Sequence, residues 1–149
     1  MDDRPLVLIA EDDAEDRELI TDALQTARPA VSLQFVLDGQ ELMDYLQRGS
    51  DFSSHTRSHH PVIILLDLKM PRKDGHEALA ELKSDPALRA IPVIVLTTSR
   101  DEHDVRTSYD LGASSFITKP TTNTELVEAM DSLSEYWLRT VELPSQHRN

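Results

Sequence analysis

The sequence predicts an α/β fold in which a doubly wound, five-stranded parallel sheet is covered by five helices on both faces. Short apolar runs alternate with amphipathic stretches along the 149 residues. The runs 62–67 (VIILLD) and 91–97 (IPVIVLT) are apolar at nearly every position, which is typical of strands that are buried on both faces. Strands that alternate with helices form parallel sheets with right-handed crossovers.

The predicted elements follow one another in a regular order. The first two units are a strand over 5–10 with a helix over 14–27, and a strand over 31–37 with a helix over 39–48. The last three units are a strand over 62–67 with a helix over 75–84, a strand over 91–97 with a helix over 101–112, and a strand over 114–118 with a helix over 122–141. The amphipathic helices are assigned from apolar residues at helical spacing, whereas the fourth is predicted as a short polar helix that ends at Gly112.

The bulk composition excludes several classes of protein. The chain contains no cysteine, and its net charge is −12. Disulfides and thiolate metal sites are therefore excluded, and a cytoplasmic location is expected. The negative charge repels phosphate backbones and anionic lipids, and the basic residues are scattered. We therefore expect neither a nucleic-acid partner nor a membrane partner.

Polar residues stand where four of the strands end. They are Glu11-Asp12-Asp13 after the first strand, Asp67 at the end of the third, Thr97-Thr98-Ser99 at the end of the fourth, and Thr118-Lys119-Pro120 at the end of the fifth. These strand ends meet at one edge of a doubly wound sheet. Crowded carboxylates suit Mg²⁺, and a lysine with a hydroxyl group suits a phosphoryl group in transfer. Asp67 is then a candidate nucleophile that forms an acyl phosphate.

Each feature also has a structural explanation when it is taken alone. Asp12 or Asp13 could cap the helix that begins at residue 14, the threonines could also be caps, and Lys119-Pro120 could be a surface loop. The occurrence of all the features in order, each at a strand end, favours a functional site.

Four segments resemble the motifs of the receiver domain of two-component response regulators. They are LIAEDDAEDR (8–17), ILLDLKMPRKDG (64–75), VIVLTTS (93–99) and SSFITKP (114–120). The resemblance covers residues 5 to about 135 and implies a flavodoxin-like sheet with strand order 2-1-3-4-5. It also implies that Asp67 accepts a phosphoryl group from a histidine kinase with the help of Mg²⁺ (or Mn²⁺), so that the protein is a signalling module rather than an enzyme.

The same resemblance assigns roles to further residues. Mg²⁺ would be held by Glu11, Asp12, Asp67 and the backbone carbonyl of Lys69, and the phosphoryl oxygens by Thr97 and Lys119, with Pro120 following in the cis form. Thr97 and Phe116 match the pair that switches receivers. Phenylalanine stands where tyrosine is usual, which leaves the hydroxyl part of the switch in question; alternatively, Phe116 is only an apolar strand residue.

Lys69 and Thr98 flank the path by which water would attack an acyl phosphate on Asp67. We hypothesise that their side chains obstruct this water and prolong the phosphorylated state. The alternative is that Lys69 is merely solvated and Thr98 only packs.

The residues after 135 are expected to form an interface. A receiver domain over 1–135 leaves residues 136–149 as the end of the last helix and a tail, without an output domain. Trp137, Leu138, Val141 and Leu143 would be exposed in a monomer, and exposed apolar clusters usually mark interfaces. We predict a homodimer built with these residues, against the alternative that they fold back as local packing.

The long polar loop over 49–60 and the terminal segment YWLRTVELP are similar to stand-alone regulators of phytochrome-type histidine kinases. This similarity implies that a kinase docks on the first helix, near Asp13, Asp16, Arg17 and Ile20. The loop also holds His55, His59 and His60, which could bind a metal but are more typical of a solvated loop.

Three other functions fit the sequence less well. A Mg²⁺-dependent aspartyl-phosphate phosphohydrolase would have a second acid where Lys69 stands, and a cap domain. A pseudo-receiver that binds partners without phosphorylation would not need the complete acidic set with Lys119. Flavodoxin-like cofactor binding would need a phosphate-cradling loop after the first strand, where Glu11-Asp12-Asp13 would repel the phosphate.

Overall fold

The computed structural model describes residues 4–28, 30–51 and 60–144, with side chains described outside 48–51. The strands are β1 (Leu6–Ala10), β2 (Ser32–Val36), β3 (Ile63–Leu66), β4 (Val93–Thr97) and β5 (Ser115–Thr118). The helices are α1 (Ala14–Ala27), α2 (Gly39–Asp51), α3 (Gly75–Ser84), α4 (Glu102–Asp110) and α5 (Asn123–Glu135). The predicted strand–helix units are thus confirmed in the predicted order.

The strands form one parallel sheet in the order β2-β1-β3-β4-β5. The implied strand order is therefore confirmed. Ala10, the last residue of β1, pairs with Val36 of β2 and Leu66 of β3. The sheet thus grows in opposite directions from β1, and ligands bind at the carboxyl ends of the strands beside such a switch point.

The sheet is covered on both faces because alternate residues of the central strands point to opposite sides. One set packs in the α1–α5 core, which contains Val7, Ile9, Ile20, Leu24, Ile63, Leu65, Ile94, Leu96, Leu126, Met130 and Leu133. The other packs in the α2–α3 core, which contains Leu8, Leu42, Met43, Leu46, Ile64, Leu66, Leu79, Leu82, Val93 and Val95. Because β1, β3 and β4 are packed on both faces, the ends of these strands are held in fixed positions relative to one another.

Specific backbone features set where the helices begin and end. The side chain of Asp74 caps α3 by accepting from the backbone N–H of Glu77 at 2.9 Å. Gly75 follows because a Cβ at this position would collide with the backbone carbonyl of Asp67. Gly112 lies after α4 with a φ of 109°, a conformation that favours glycine, as the sequence predicted.

The end of the chain differs from the prediction in two respects. The predicted helix over 122–141 is regular only to Glu135, and a π-helical segment follows over Tyr136–Thr140. The expected exposure of the apolar tail is wrong for Leu143, which is 2% exposed in the α1–α5 core. Trp137, Leu138 and Val141 are partly buried against the same core. Packing within the chain buries this apolar surface without the entropy loss of association.

Among the helices of the described residues, none combines the length and the apolar character that crossing a bilayer requires. His55 and His59 lie outside the described residues, so the interpretation of the histidine loop stays a prediction.

Candidate functional site

Three carboxylates gather where β1 and β3 end. Glu11 and Asp67 are 2% and 8% exposed, and Asp12 is exposed. One oxygen from each of these residues, here called the acid trio, can be chosen so that all three lie within 4.8 Å of one another. The backbone N–H of Asp67 donates to the Ala10 carbonyl at 3.1 Å, which fixes the two strand ends side by side. The acids predicted to hold a cation are therefore brought together.

Lys119 reaches the acid trio from the end of β5. Its Nζ donates to Glu11 Oε1 at 2.6 Å, to Asp16 Oδ2 at 2.7 Å and to Asp67 Oδ2 at 3.4 Å. The backbone N–H of Lys119 donates to the Thr97 carbonyl at 2.7 Å, which places the end of β5 beside the end of β4. The predicted lysine thus lies beside the predicted nucleophile.

The electrostatics of the site favour a bound cation. Burial raises the pKa of Glu11 to about 7, and the charge of Asp67 adds to this, while the hydrogen bond from Lys119 opposes it. Burial alone would lower the pKa of Lys119, but its hydrogen bonds to Asp16 and Glu11 and the charge of Asp67 raise it. One lysine among four carboxylates leaves an excess of negative charge, which a divalent cation would reduce.

The donor set of the acid trio fits Mg²⁺. Mg²⁺ prefers hard oxygen ligands and keeps several of its waters, and the exposure of Asp12 leaves room for water. The backbone N–H of Lys69 lies 3.5 Å from Asp67 Oδ1, so the loop after β3 turns back toward the acid trio. The role of the Lys69 carbonyl as a further ligand stays a prediction.

The three acids after β1 have different roles. Asp13 caps α1 by accepting from the backbone N–H of Asp16 at 2.9 Å, so the capping explanation holds for Asp13. Glu11 and Asp12 belong to the acid trio instead. The sequence left open which of these acids was the cap, and the side-chain directions decide it.

Arg17 is a site residue that the sequence analysis did not identify as such. Its guanidinium donates to the backbone carbonyls of Asp12 at 2.9 Å and Glu11 at 3.3 Å, and it thereby braces the loop that carries both acids. A cation near the start of a helix is unfavourable for the helix dipole. That anomaly is the signal in the sequence that could have pointed to this role.

The residues predicted to act in switching or to set the lifetime of the phosphorylated state lie on β4 and β5 or just after β3 and β4. Thr97 is buried at the end of β4, and Thr98 and Lys69 are exposed. Phe116 pairs with Val95 across the sheet and packs partly buried against the α2–α3 core. The functions of these residues in switching and dephosphorylation stay predictions.

The implied cis form of Pro120 is wrong for this structure, in which the Lys119–Pro120 peptide bond is trans. The trans form is the lower in energy for bonds that precede proline, by about 0.5–1 kcal/mol. The hydrogen bonds of Lys119 described above are made with this bond in the trans form.

Comparison with known proteins agrees with this geometry. The family model for the response regulator receiver domain matches residues 7–131. Response regulator Rcp1 of Synechocystis sp. is 39% identical over 140 residues, which cover 94% of this chain and 93% of that protein.

Two solved structures are also similar. The phosphorylated cyanobacterial phytochrome response regulator RcpA is 40% identical with a TM-score of 0.85, over 95% of this chain and 99% of that one. The Mn²⁺-bound form of response regulator Rcp1 is 38% identical with a TM-score of 0.83, over 94% of this chain and 99% of that one. The chain therefore belongs to the response regulator receiver family, whose members bind Mg²⁺ and act as phosphoacceptor signalling modules rather than as enzymes.

Proposed function

We propose that Asp67 is the phosphoacceptor of this receiver and that a histidine kinase supplies the phosphoryl group in a Mg²⁺-dependent reaction. The observation that carries the proposal is the position of Asp67, whose Oδ2 lies 3.4 Å from Lys119 Nζ and whose carboxylate belongs to the acid trio. The signal then passes on through conformational change and protein–protein contacts.

The residues around Asp67 have complementary roles in this transfer. An oxygen of Asp67 forms the bond to phosphorus while the P–N bond to the donor histidine breaks and the imidazole leaves with the electron pair. Glu11, Asp12 and Asp67 would hold Mg²⁺, which when bound neutralises charge on the phosphoryl oxygens. Lys119 neutralises another of these oxygens, since its ammonium group already lies beside Asp67.

The partner kinase is proposed to be of the phytochrome type. This is supported by the similarity to RcpA, a cyanobacterial phytochrome response regulator. The predicted docking helix α1 contributes Asp16, Leu19 and Ile20 to a cavity of about 130 Å³, which also borders Lys119 and Leu126. A kinase helix on this surface would bring its phosphohistidine close to Lys119.

The test of the phosphoacceptor is incubation with acetyl phosphate and Mg²⁺, followed by intact mass measurement. We expect one phosphate on the wild type and none on the Asp67→Asn variant. The matched control is Asp22→Asn, which changes an exposed aspartate on α1 and is expected to be phosphorylated like the wild type.

The same experiment separates the alternative functions. Continuous release of inorganic phosphate over many turnovers would indicate an aspartyl-phosphate phosphohydrolase. A wild type that gains no mass under these conditions would indicate a pseudo-receiver, and either result would contradict the proposal.

A homodimer built with the tail is a separate proposal, now supported only by the partial exposure of Trp137, Leu138 and Val141. In size-exclusion chromatography we expect the full chain to elute as a dimer and a chain truncated after Glu135 to elute as a monomer. Equal apparent oligomeric states would contradict this interface. The truncation also removes the buried Leu143, so we expect a lower unfolding temperature in either case.

The cytoplasmic location and the lack of nucleic-acid and membrane partners rest on composition and on the net charge of −12. They stay predictions.

A further inference from the structure

The contacts of Lys119 are unequal, and the nucleophile receives the longest of them. Lys119 Nζ lies 2.7 Å from Asp16 and 2.6 Å from Glu11, but 3.4 Å from Asp67. The lysine side chain is 9% exposed and the Asp16 side chain is 33% exposed. The ammonium group is therefore held closer to Glu11 and Asp16 than to the carboxylate that is proposed to carry the phosphoryl group.

A phosphoryl group on Asp67 would compete for this ammonium group. A lysine has three donors, and the carboxylates of Glu11, Asp16 and Asp67 receive all of them. A new anionic oxygen bound to Asp67 can recruit Lys119 only if one of the shorter contacts lengthens or breaks. Glu11 is a proposed metal ligand with a reason to stay in place, which leaves Asp16 as the contact to be given up.

Asp16 stands apart from the rest of the site. It does not belong to the acid trio, and its carboxylate contact with the site is the one with Lys119. It lies in the first turn of α1 together with Glu15. The helix dipole alone explains why an acid is favourable in this position. The close contact with a largely buried lysine that lies 103 residues further along the chain is not explained by the dipole.

We propose that Asp16 is a positioning residue that holds Lys119 back before phosphorylation and competes with the phosphoryl group for the ammonium group. This inference rests on the proposed function of Asp67. Asp16 thereby favours the unphosphorylated state, and the free energy of forming the phosphorylated state includes the loss of this contact.

The test measures the affinity for beryllofluoride, a mimic of the phosphoryl group, by calorimetric titration in saturating Mg²⁺. We expect Asp16→Asn to bind it more tightly than the wild type by roughly three- to tenfold, the size expected for a partly exposed charged hydrogen bond. The matched control is Glu15→Gln, which removes the same charge from the same helical turn without touching Lys119, and its affinity should equal that of the wild type. An unchanged or weaker affinity in Asp16→Asn, or an equal gain in Glu15→Gln, would overturn the proposal.

A double-mutant cycle shows whether Asp16 acts through the lysine. In the Lys119→Gln background, Asp16→Asn should change the beryllofluoride affinity by less than about twofold. A gain that persists in this background would mean that Asp16 acts by general repulsion, and this too would overturn the proposal.

Two further readouts separate positioning from a merely structural role. The affinity for Mg²⁺ alone should differ between Asp16→Asn and the wild type by less than about twofold, because the metal ligands are untouched. Without ligand, the unfolding temperature should be lower in Asp16→Asn than in Glu15→Gln, since only Asp16 contributes a contact to Lys119, and saturating beryllofluoride should remove that difference. Failure of the wild type to bind beryllofluoride at all would contradict the proposed function itself, whereas equal binding by wild type and Asp16→Asn would contradict this inference alone.

Discussion

The proposed ability of Asp67 to accept a phosphoryl group depends on the residues around it rather than on any property of its own. The sequence predicted Glu11, Asp12 and Lys119 as those neighbours, because all of them follow strands whose ends must meet at one edge of the sheet. It missed the contact of Asp16 with Lys119, since strand ends say nothing about where the first turn of α1 points. Side-chain directions in a helical turn depend on packing that only the folded chain shows.

Lys69 and Thr98 are expected to set the lifetime of the phosphorylated state. Lys69 is exposed in the loop that follows β3 and Asp67, and Thr98 is exposed directly after the neighbouring strand β4. These positions agree with a place on the path of an attacking water. We expect Lys69→Ala with Thr98→Ala to speed autodephosphorylation by on the order of threefold, a change of less than about 1 kcal/mol in the barrier. The measurement is the decay of phosphoprotein after removal of the donor.

The control for this lifetime experiment is Arg100→Ala, which changes an exposed cation two residues after Thr98 in the loop that follows β4. It should leave the decay unchanged. If the paired Lys69 and Thr98 variant decays at the wild-type rate, the two side chains do not shield the acyl phosphate.

Strand and helix positions followed from periodicity, but the connections between them did not. Arg72 has a φ of 63°, and its guanidinium donates to Asp38 Oδ2 at 2.8 Å and Oδ1 at 3.2 Å. Asp38 also accepts from the backbone N–H of Glu41 at 2.8 Å and so caps α2. This pair joins the loop after β3 to the start of α2, and no periodic pattern in the sequence indicates it.

The Asp38–Arg72 pair should make stability depend on pH. The hydrogen bond from Arg72 lowers the pKa of Asp38 in the folded protein, so the charged form is favoured by folding. This stabilisation is present above the unfolded-state pKa of about 3.9 and is lost as the pH falls through the lower, folded-state pKa. We expect the wild type to exceed Asp38→Asn in its free energy of unfolding at pH 7, and the difference to shrink on acidification through that window.

Urea denaturation from pH 7 to about pH 3 measures this difference. Asparagine retains the cap of α2, so the variant isolates the charge. A difference that does not change with pH would show that Arg72 does not stabilise the charged form of Asp38.

The end of the chain shows where reasoning from helical spacing fails. Leu133 and Trp137 lie four positions apart, as in one continuous helix, yet a π-helical segment begins at Tyr136. The apolar residues beyond it pack on the α1–α5 core, so Leu143 is buried rather than exposed. A short apolar tail can be buried either in an interface between two chains or by packing within its own chain. The sequence is compatible with both.

The architecture as a whole was the most predictable property of the chain. Fully apolar strands such as Ile63–Leu66 fit only a sheet that is covered on both faces, and their order along the chain limits the topology to a few arrangements. The strand order itself came from resemblance to the receiver family and is confirmed by the pairing of β1 with both β2 and β3. A fold of this kind delivers the ends of β1, β3, β4 and β5 to one edge, and the proposed chemistry depends on that convergence.

The most direct test locates the phosphate and its dependence on metal together. The protein is incubated with acetyl phosphate in Mg²⁺ or in excess chelator, and fragmentation mass spectrometry assigns the modified residue. We predict one phosphate, on Asp67, in Mg²⁺ and little or none in chelator. Phosphate on any other residue, or equal modification of Asp67 without a divalent cation, would contradict the assignment of Asp67 as the Mg²⁺-dependent phosphoacceptor.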